Sequence, residues 1–135
     1  MKKIILKIVV TLLVLYSVLC IFLYFFQEKL IFHPEKLESN YQFHFDDVFE
    51  EANVELEDGS FINTVLFKAD SSKGVIFYLH GNAGSLKTWG EIAKVYTSLG
   101  YDLFILDYPG FGKSTGDIHS QDDLFMSVQQ AYDYL

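Results

Sequence analysis

The sequence predicts an α/β domain behind a single membrane-spanning helix, and three features carry that prediction. An uncharged apolar run lies near the N-terminus, a β-rich hairpin pattern follows it, and two short apolar runs then bracket a stretch of helical spacing. Apolar runs without period-2 alternation, separated by a helix, are the pattern of parallel strands covered on both faces.

The run Ile8–Phe26, IVVTLLVLYSVLCIFLYFF, contains no charged residue. As a helix it reaches about 28 Å, close to the hydrocarbon thickness of a bilayer. Lys2, Lys3 and Lys7 in front of it leave a cleaved signal peptide as the alternative. Against cleavage, the run is long for such a segment and ends in Tyr24-Phe25-Phe26, with no small-residue cleavage site. Lipid attachment at Cys20 is disfavoured by Leu19 before it and by the apolar residues beyond. The expectation is an uncleaved anchor over residues 8–26. Residues 1–7 are then cytoplasmic and the domain lies on the far side, by the positive-inside tendency. Lys29 and Lys36 pull against that orientation.

The formal net charge is −8 and arginine is absent. Without a basic stripe for phosphate contacts, a nucleic-acid partner is excluded. A single cysteine inside the apolar run rules out an internal disulfide framework and a cysteine-rich zinc site. No metal or cofactor is expected.

Residues 27–45, from Gln27 on, read as a juxtamembrane segment that packs on the domain or the bilayer surface and stops at Pro34. His33 beside that proline reads as an ordinary polar tip. VELEDGSFINTVLF is a hairpin pattern: Val54 and Leu56 alternate with acids, Asp58-Gly59 supplies the turn, and Phe61–Phe67 is β-rich. Val75–Leu79 is a central strand, covered on both faces. Trp89, Ile92, Ala93, Tyr96 and Leu99 fall at helical spacing from Ser85, and Gly100 sits where a helix C′ residue belongs. Asp102–Tyr108 is a second buried strand, which completes a βαβ unit. Ser120 and Asp123 match a capping box, and Leu124, Val128, Ala131 and Leu135 share one face of the helix that follows.

The stretch GFGKST, Gly110–Thr115, suggests two sites and fits neither. A phosphate-binding loop needs a glycine where Asp107 stands, and Pro109 removes a backbone donor from the cradle. Nucleotide binding is therefore not expected. GKSTG also satisfies G-x-S-x-G, but that elbow needs its serine where a strand runs straight into a helix. Pro109 to Lys113 separate Ser114 from the strand end. Ser114 is left to local hydrogen bonds.

YLHGNAG, a helix, and a buried strand ending in DYPGFGKSTG together resemble the first half of an α/β-hydrolase domain. With the N-terminal anchor and QEKLIFHP, the chain is most similar to the membrane-anchored abhydrolase branch, related to serine aminopeptidase, lipase and thioesterase-like enzymes. The resemblance covers roughly residues 27–135, with 46–135 as a partial hydrolase domain. It implies serine acyl transfer to water on an ester, thioester or amide. It also implies that the Asn82 backbone N–H is an oxyanion-hole donor and that Ala83 belongs to the same loop. His80, Gly81, Gly84, Asp107, Gly110, Gly112 and Ser114 are then loop-shaping residues, His80 a buttress and not the base.

In that family the nucleophile, acid and histidine come after the helix that begins near Ser120. None of His44, His80 and His119 falls where the triad histidine belongs. The expectation is an N-terminal fragment with an oxyanion half-site, inactive alone and taking a small acyl substrate only once completed. Without the next strand, Val75–Leu79 becomes an exposed apolar edge. The alternative is a non-catalytic anchored protein that docks a partner through that edge.

Overall fold

The computed structural model describes residues Met1–Leu135. They divide into a helical unit, Met1–Ile31, and a folded unit, Phe32–Leu135.

The helical unit is one helix, α1 (Lys2–Ile31), with none of its residues buried. It is long and apolar enough to cross a membrane. It takes in Gln27–Ile31, which the sequence assigned to the juxtamembrane segment. Gln, Glu, Lys and Leu are good helix formers, and the first breaker is Pro34, which disfavours helix at His33.

In the folded unit, β1 (His33–Pro34) stands apart from the main sheet. β2 (Phe49–Glu55) and β3 (Phe61–Phe67) form the expected antiparallel hairpin, with Glu55 opposite Phe61. Its turn is held by the Asp58 carboxylate, which accepts from the Ser60 N–H at 2.9 Å and its hydroxyl at 2.6 Å. Gly59 there takes φ +82°.

β4 (Val75–Tyr78) leads into the HGNAG loop, within which Ala83–Gly84 forms β5. The stretch expected as one helix is three pieces: α2 (Leu86–Trp89), a 3-10 turn at Gly90–Ile92, and α3 (Ala93–Thr97). The Phe45 ring lies where a Cβ on Gly90 would sit, so a distant side chain occupies the groove at the break. Gly100 ends this stretch as expected, with φ +82° and its N–H on the Thr97 carbonyl. β6 (Asp102–Leu106) follows, shorter than expected, with Asp107 and Tyr108 buried just beyond it.

The main sheet has the order β2-β3-β6-β4, with β6 antiparallel to β3 and parallel to β4. Every β6 residue is buried, and alternate ones feed opposite faces: Leu103 and Ile105 one core, Phe104 and Leu106 the other. β4 is the outer strand, so the central position expected for it is corrected. No strand covers its free side, and Val75 is 46% and Leu79 48% exposed. β4 thus presents an exposed apolar edge.

α4 (Gln121–Tyr134) packs Leu124, Val128 and Ala131 against the second core. Ser120 caps it, its hydroxyl accepting from the Asp123 N–H at 3.1 Å. The Asp123 carboxylate returns to the N–H of His119 and not to that of Ser120. Leu135, expected on the buried face, is instead 45% exposed at the C-cap.

Candidate active site

β4 and β6 are parallel neighbours, so the loops leaving their C-terminal ends emerge side by side, where open α/β sheets place their ligand crevices. The two loops are HGNAG and the Asp107–Thr115 stretch.

HGNAG is held by its carbonyls. The Tyr108 hydroxyl donates to the His80 carbonyl at 2.7 Å, and His80 Nδ1 donates to Gly81 O at 2.7 Å. The His33 N–H takes Asn82 O at 2.8 Å, the Trp89 indole N–H takes Ala83 O at 2.8 Å, and the Glu35 N–H takes Gly84 O at 2.9 Å. A trans peptide is planar, so a pinned C=O aims the next residue's N–H the opposite way. The His80 contact thus orients the Asn82 N–H, and the His33 contact that of Ala83. Gly81, Asn82 and Ala83 are exposed.

The Trp89 indole lies against Gly81 and Gly84, where added Cβ atoms would come within 3.2 and 3.3 Å of it. On its inner side the indole stacks on the His80 ring, centroids 5.8 Å apart. His80 Nε2 lies 3.3 Å from Asp107 Oδ1, and neither side chain has any solvent exposure. Asp107 Oδ1 also accepts the Leu86 N–H at 2.8 Å. Burial pushes the Asp107 carboxyl above the usual carboxylate range, and His80 opposes the shift. Nδ1 is committed to the Gly81 carbonyl, and the Nε2–Oδ1 contact lacks hydrogen-bond geometry, so His80 Nε2 and Asp107 Oδ2 are buried without a hydrogen-bond partner. Enclosed in this way, His80 has no path to a substrate.

The second loop faces inward. Ser114 is buried, its hydroxyl donating to Asp107 O at 2.7 Å and accepting from the Asn63 N–H at 2.9 Å. Lys113 donates to the Tyr41 carbonyl at 2.9 Å, pairs with Glu51, and lies 4.6 Å over the Phe43 ring. A phosphate would find no free cation at this lysine. Gly110 takes φ +81° and Gly112 φ +48°, and a Cβ on Gly112 would overlap the Asp107 carboxylate.

Both loops are crossed by residues 32–37, which were expected only to pack and stop. β1 pairs in parallel with β5, and Lys36 bridges to Gly112. The Gly112 N–H donates to Glu35 O, and the Leu37 N–H to Gly112 O, each at 2.9 Å. Ser85 Oγ and Lys87 Nζ donate to the two Glu35 carboxylate oxygens at 2.9 and 2.7 Å. These bonds, Lys87 first, hold the Glu35 carboxyl below its ordinary range.

Sequence reasoning missed Glu35 and the loop role of Trp89. Trp89 was visible only as one apolar position at helical spacing. Glu35 gave no local signal, because its partners lie 50 and 52 residues away.

No family model matches the chain. The YfhR protein of Salmonella typhi is 31% identical over 77 residues, which is 57% of this chain and 26% of that protein. Protein bem46 of Schizosaccharomyces pombe is 38% identical over 69 residues, 50% of this chain and 23% of that one. The lysophosphatidylserine lipase ABHD12 of Gallus gallus is 51% identical over 51 residues, 34% of this chain and 13% of the lipase. The chain thus spans about a quarter or less of these relatives. Among solved structures, the Pyrococcus furiosus esterase Pf2001 aligns with a TM-score of 0.56 at 21% identity, over 78% of this chain and 41% of the esterase. An α/β-hydrolase from Vibrio vulnificus aligns with a TM-score of 0.55 at 23% identity, over 64% and 29%. Together with the mixed sheet and its two paired loops, these likenesses place the chain in the α/β-hydrolase superfamily, of whose fold it carries the N-terminal half.

Proposed function

We propose that this chain supplies the oxyanion half-site of a serine hydrolase that transfers the acyl group of an ester, thioester or amide to water. The observation that carries the reading is the pinning of successive HGNAG carbonyls, which fixes the N–H directions of an exposed loop at the end of a parallel strand. Fixed donors aimed where charge develops are what an acyl-transfer transition state needs. Asn82 is the donor, and Ala83 belongs to the same loop. Of the groups resembling a triad, Ser114 is buried with its hydroxyl bonded to Asp107 and Asn63, and the His80 side chain is enclosed against Asp107, so the chain alone is read as inactive. A lipase and an esterase among the similar proteins support the ester as substrate class. α1, with Lys2, Lys3 and Lys7 at its start, is proposed as the anchor, its N-terminus cytoplasmic and the domain on the far side.

The test grafts residues 32–116 of this chain onto the Gallus gallus lipase in place of the corresponding stretch. The graft is expected to keep lipase activity, and Asn82→Pro, which deletes the backbone N–H, to lower kcat by about 100- to 1,000-fold. An Asn82→Pro graft with unchanged kcat overturns the assignment. The ungrafted chain in detergent micelles should neither hydrolyse p-nitrophenyl butyrate nor take a fluorophosphonate label.

A second reading, partner docking without catalysis, is favoured by the outer position of β4 beside an apolar groove formed by Phe77, Phe125, Met126 and Tyr132. A monodisperse, cooperatively melting chain that does not bind ANS supports this second reading. ANS-binding aggregates count against it.

A further inference from the structure

The segment between α1 and the hairpin does more than connect them. Two of the donors that pin HGNAG, the His33 and Glu35 N–H groups, come from it. They take Asn82 O and Gly84 O, the carbonyls on either side of Ala83. Pro34, which lacks an N–H, falls between them, where a two-residue parallel pairing asks for no donor. So short a strand has little holding power by itself. Its other supports are Phe32, edge-to-face on Phe111 at 6.2 Å, the backbone bonds to Gly112, and the Glu35 side chain.

The Glu35 side chain is the support that reaches the HGNAG side. Its Oε2 accepts from Oγ of Ser85, the residue that follows the loop, and Ser85 is fully buried. Its Oε1 accepts from Lys87 on α2. The backbone N–H and the carboxylate of one residue therefore grip Gly84 and Ser85 in succession, while its carbonyl grips the second loop at Gly112. No other residue of this segment bonds to both loops.

We propose that Glu35 is a positioning residue: by clamping the segment 32–37 across both loops, it holds the HGNAG peptides in the orientation that presents the oxyanion donors. The consequence for catalysis rests on the oxyanion reading above; the clamp itself does not. Ser85 is the principal partner, because the residue is fully buried and its bond partly so, whereas the Lys87 side chain is 46% exposed and the pair solvent-screened. Trp89 reports on the loop: it is the chain's single tryptophan, and its indole touches Gly81 and Gly84.

The experiment uses the full chain in detergent micelles, labelled with 5-fluorotryptophan, as wild type, Glu35→Ala, Ser85→Ala, the double variant and Lys87→Met. Amide exchange at His33, Leu37 and Gly112 is expected to rise about tenfold in Glu35→Ala, with sheet amides such as Val65 and Ile105 changing by less than about twofold. The fluorine signal of Trp89 should broaden or split. Ser85→Ala should reproduce most of this, Lys87→Met little, and the double variant should exceed the larger single by no more than about twofold, because one contact is removed twice. In the lipase graft, Glu35→Ala should lower kcat with KM nearly unchanged. Unchanged exchange at Leu37 and Gly112, an equal rise throughout the sheet, or strictly multiplicative effects of the two single changes would each overturn the clamp. The clamp and the oxyanion reading fail separately. If the exchange effects appear while Asn82→Pro leaves graft activity intact, the oxyanion reading fails and the clamp stands. If Asn82→Pro abolishes activity while Glu35→Ala alters neither exchange nor kcat, the reverse holds.

Discussion

HGNAG and GFGKST are both loops with two glycines each, lying beyond the ends of adjacent parallel strands, yet they are built in opposite senses. HGNAG turns its carbonyls to the protein and leaves Gly81, Asn82 and Ala83 exposed. GFGKST commits its side chains inward: Phe111 and Ser114 are buried, and Lys113 is tied to Tyr41 and Glu51. The glycines differ in the same way. Gly81 and Gly84 give an indole room against the backbone, whereas Gly112 gives room to a buried carboxylate. One loop is organised to present backbone, the other to fill space. A motif match based on residue types cannot distinguish these cases; the destination of each hydrogen bond does.

The sharpest way to break that contrast is Gly112→Ala. The residue has φ +48°, and its new Cβ would overlap an Asp107 carboxylate that itself has no room to move, so two penalties add. A loss of roughly 3–5 kcal/mol, or failure to fold, is expected in denaturant melts. Gly59→Ala is the control: φ is +82° with open space around it, and the cost should stay near 1 kcal/mol. Equal costs at the two sites would show that Gly112 is only a flexible turn.

Ser114→Ala comes next. It removes the acceptor for the Asn63 N–H and a donor to the Asp107 carbonyl, both buried. Leaving such groups unpaired costs roughly 1–3 kcal/mol. On the proposed role of Ser114 as a fold-stabilising hydroxyl, the same change should leave the activity of the lipase graft within about twofold. A graft that keeps its melting temperature but loses activity would return Ser114 to the list of nucleophiles.

Much of this was legible in the sequence because its signals are local. Asp58-Gly59, Gly100 and Ser120 each act within a few residues, and each does what its type predicts. The parallel pairing of β4 and β6 followed from two apolar runs joined by a helical stretch. What failed depended on distant partners. The break at Gly90 involves Phe45, and the outer position of β4 depends on what lies beyond it, which its own residues do not encode. The site divides in the same way: HGNAG spells out its glycines, but its clamps, Glu35 and Trp89, are ordinary residues that gain meaning only from what they touch.

The smallest expected effect gives the sharpest contrast, because Asp107 of the second loop and Glu35, which bonds across to HGNAG, should respond to pH with opposite sign. Asp107 has its pKa raised from 3.8, first by burial. The folded state therefore holds its proton more tightly, and the associated stability is full below 3.8 and lost as pH rises through the raised value. Glu35 has its pKa lowered from 4.5, first by Lys87 and then by Ser85. Its contribution is present above 4.5 and lost as pH falls through the lowered value. Denaturant melts between about pH 3 and 7 on wild type, Asp107→Asn and Glu35→Gln should separate the two. The wild-type advantage over Glu35→Gln should grow with pH, and stay under about 1 kcal/mol because the pair is solvent-screened. The difference from Asp107→Asn should move against wild type over the same range. If the Asp107→Asn difference stays flat across this range, Asp107 titrates as a solvated carboxylate, and the inward-built loop is more open to water than its contacts imply.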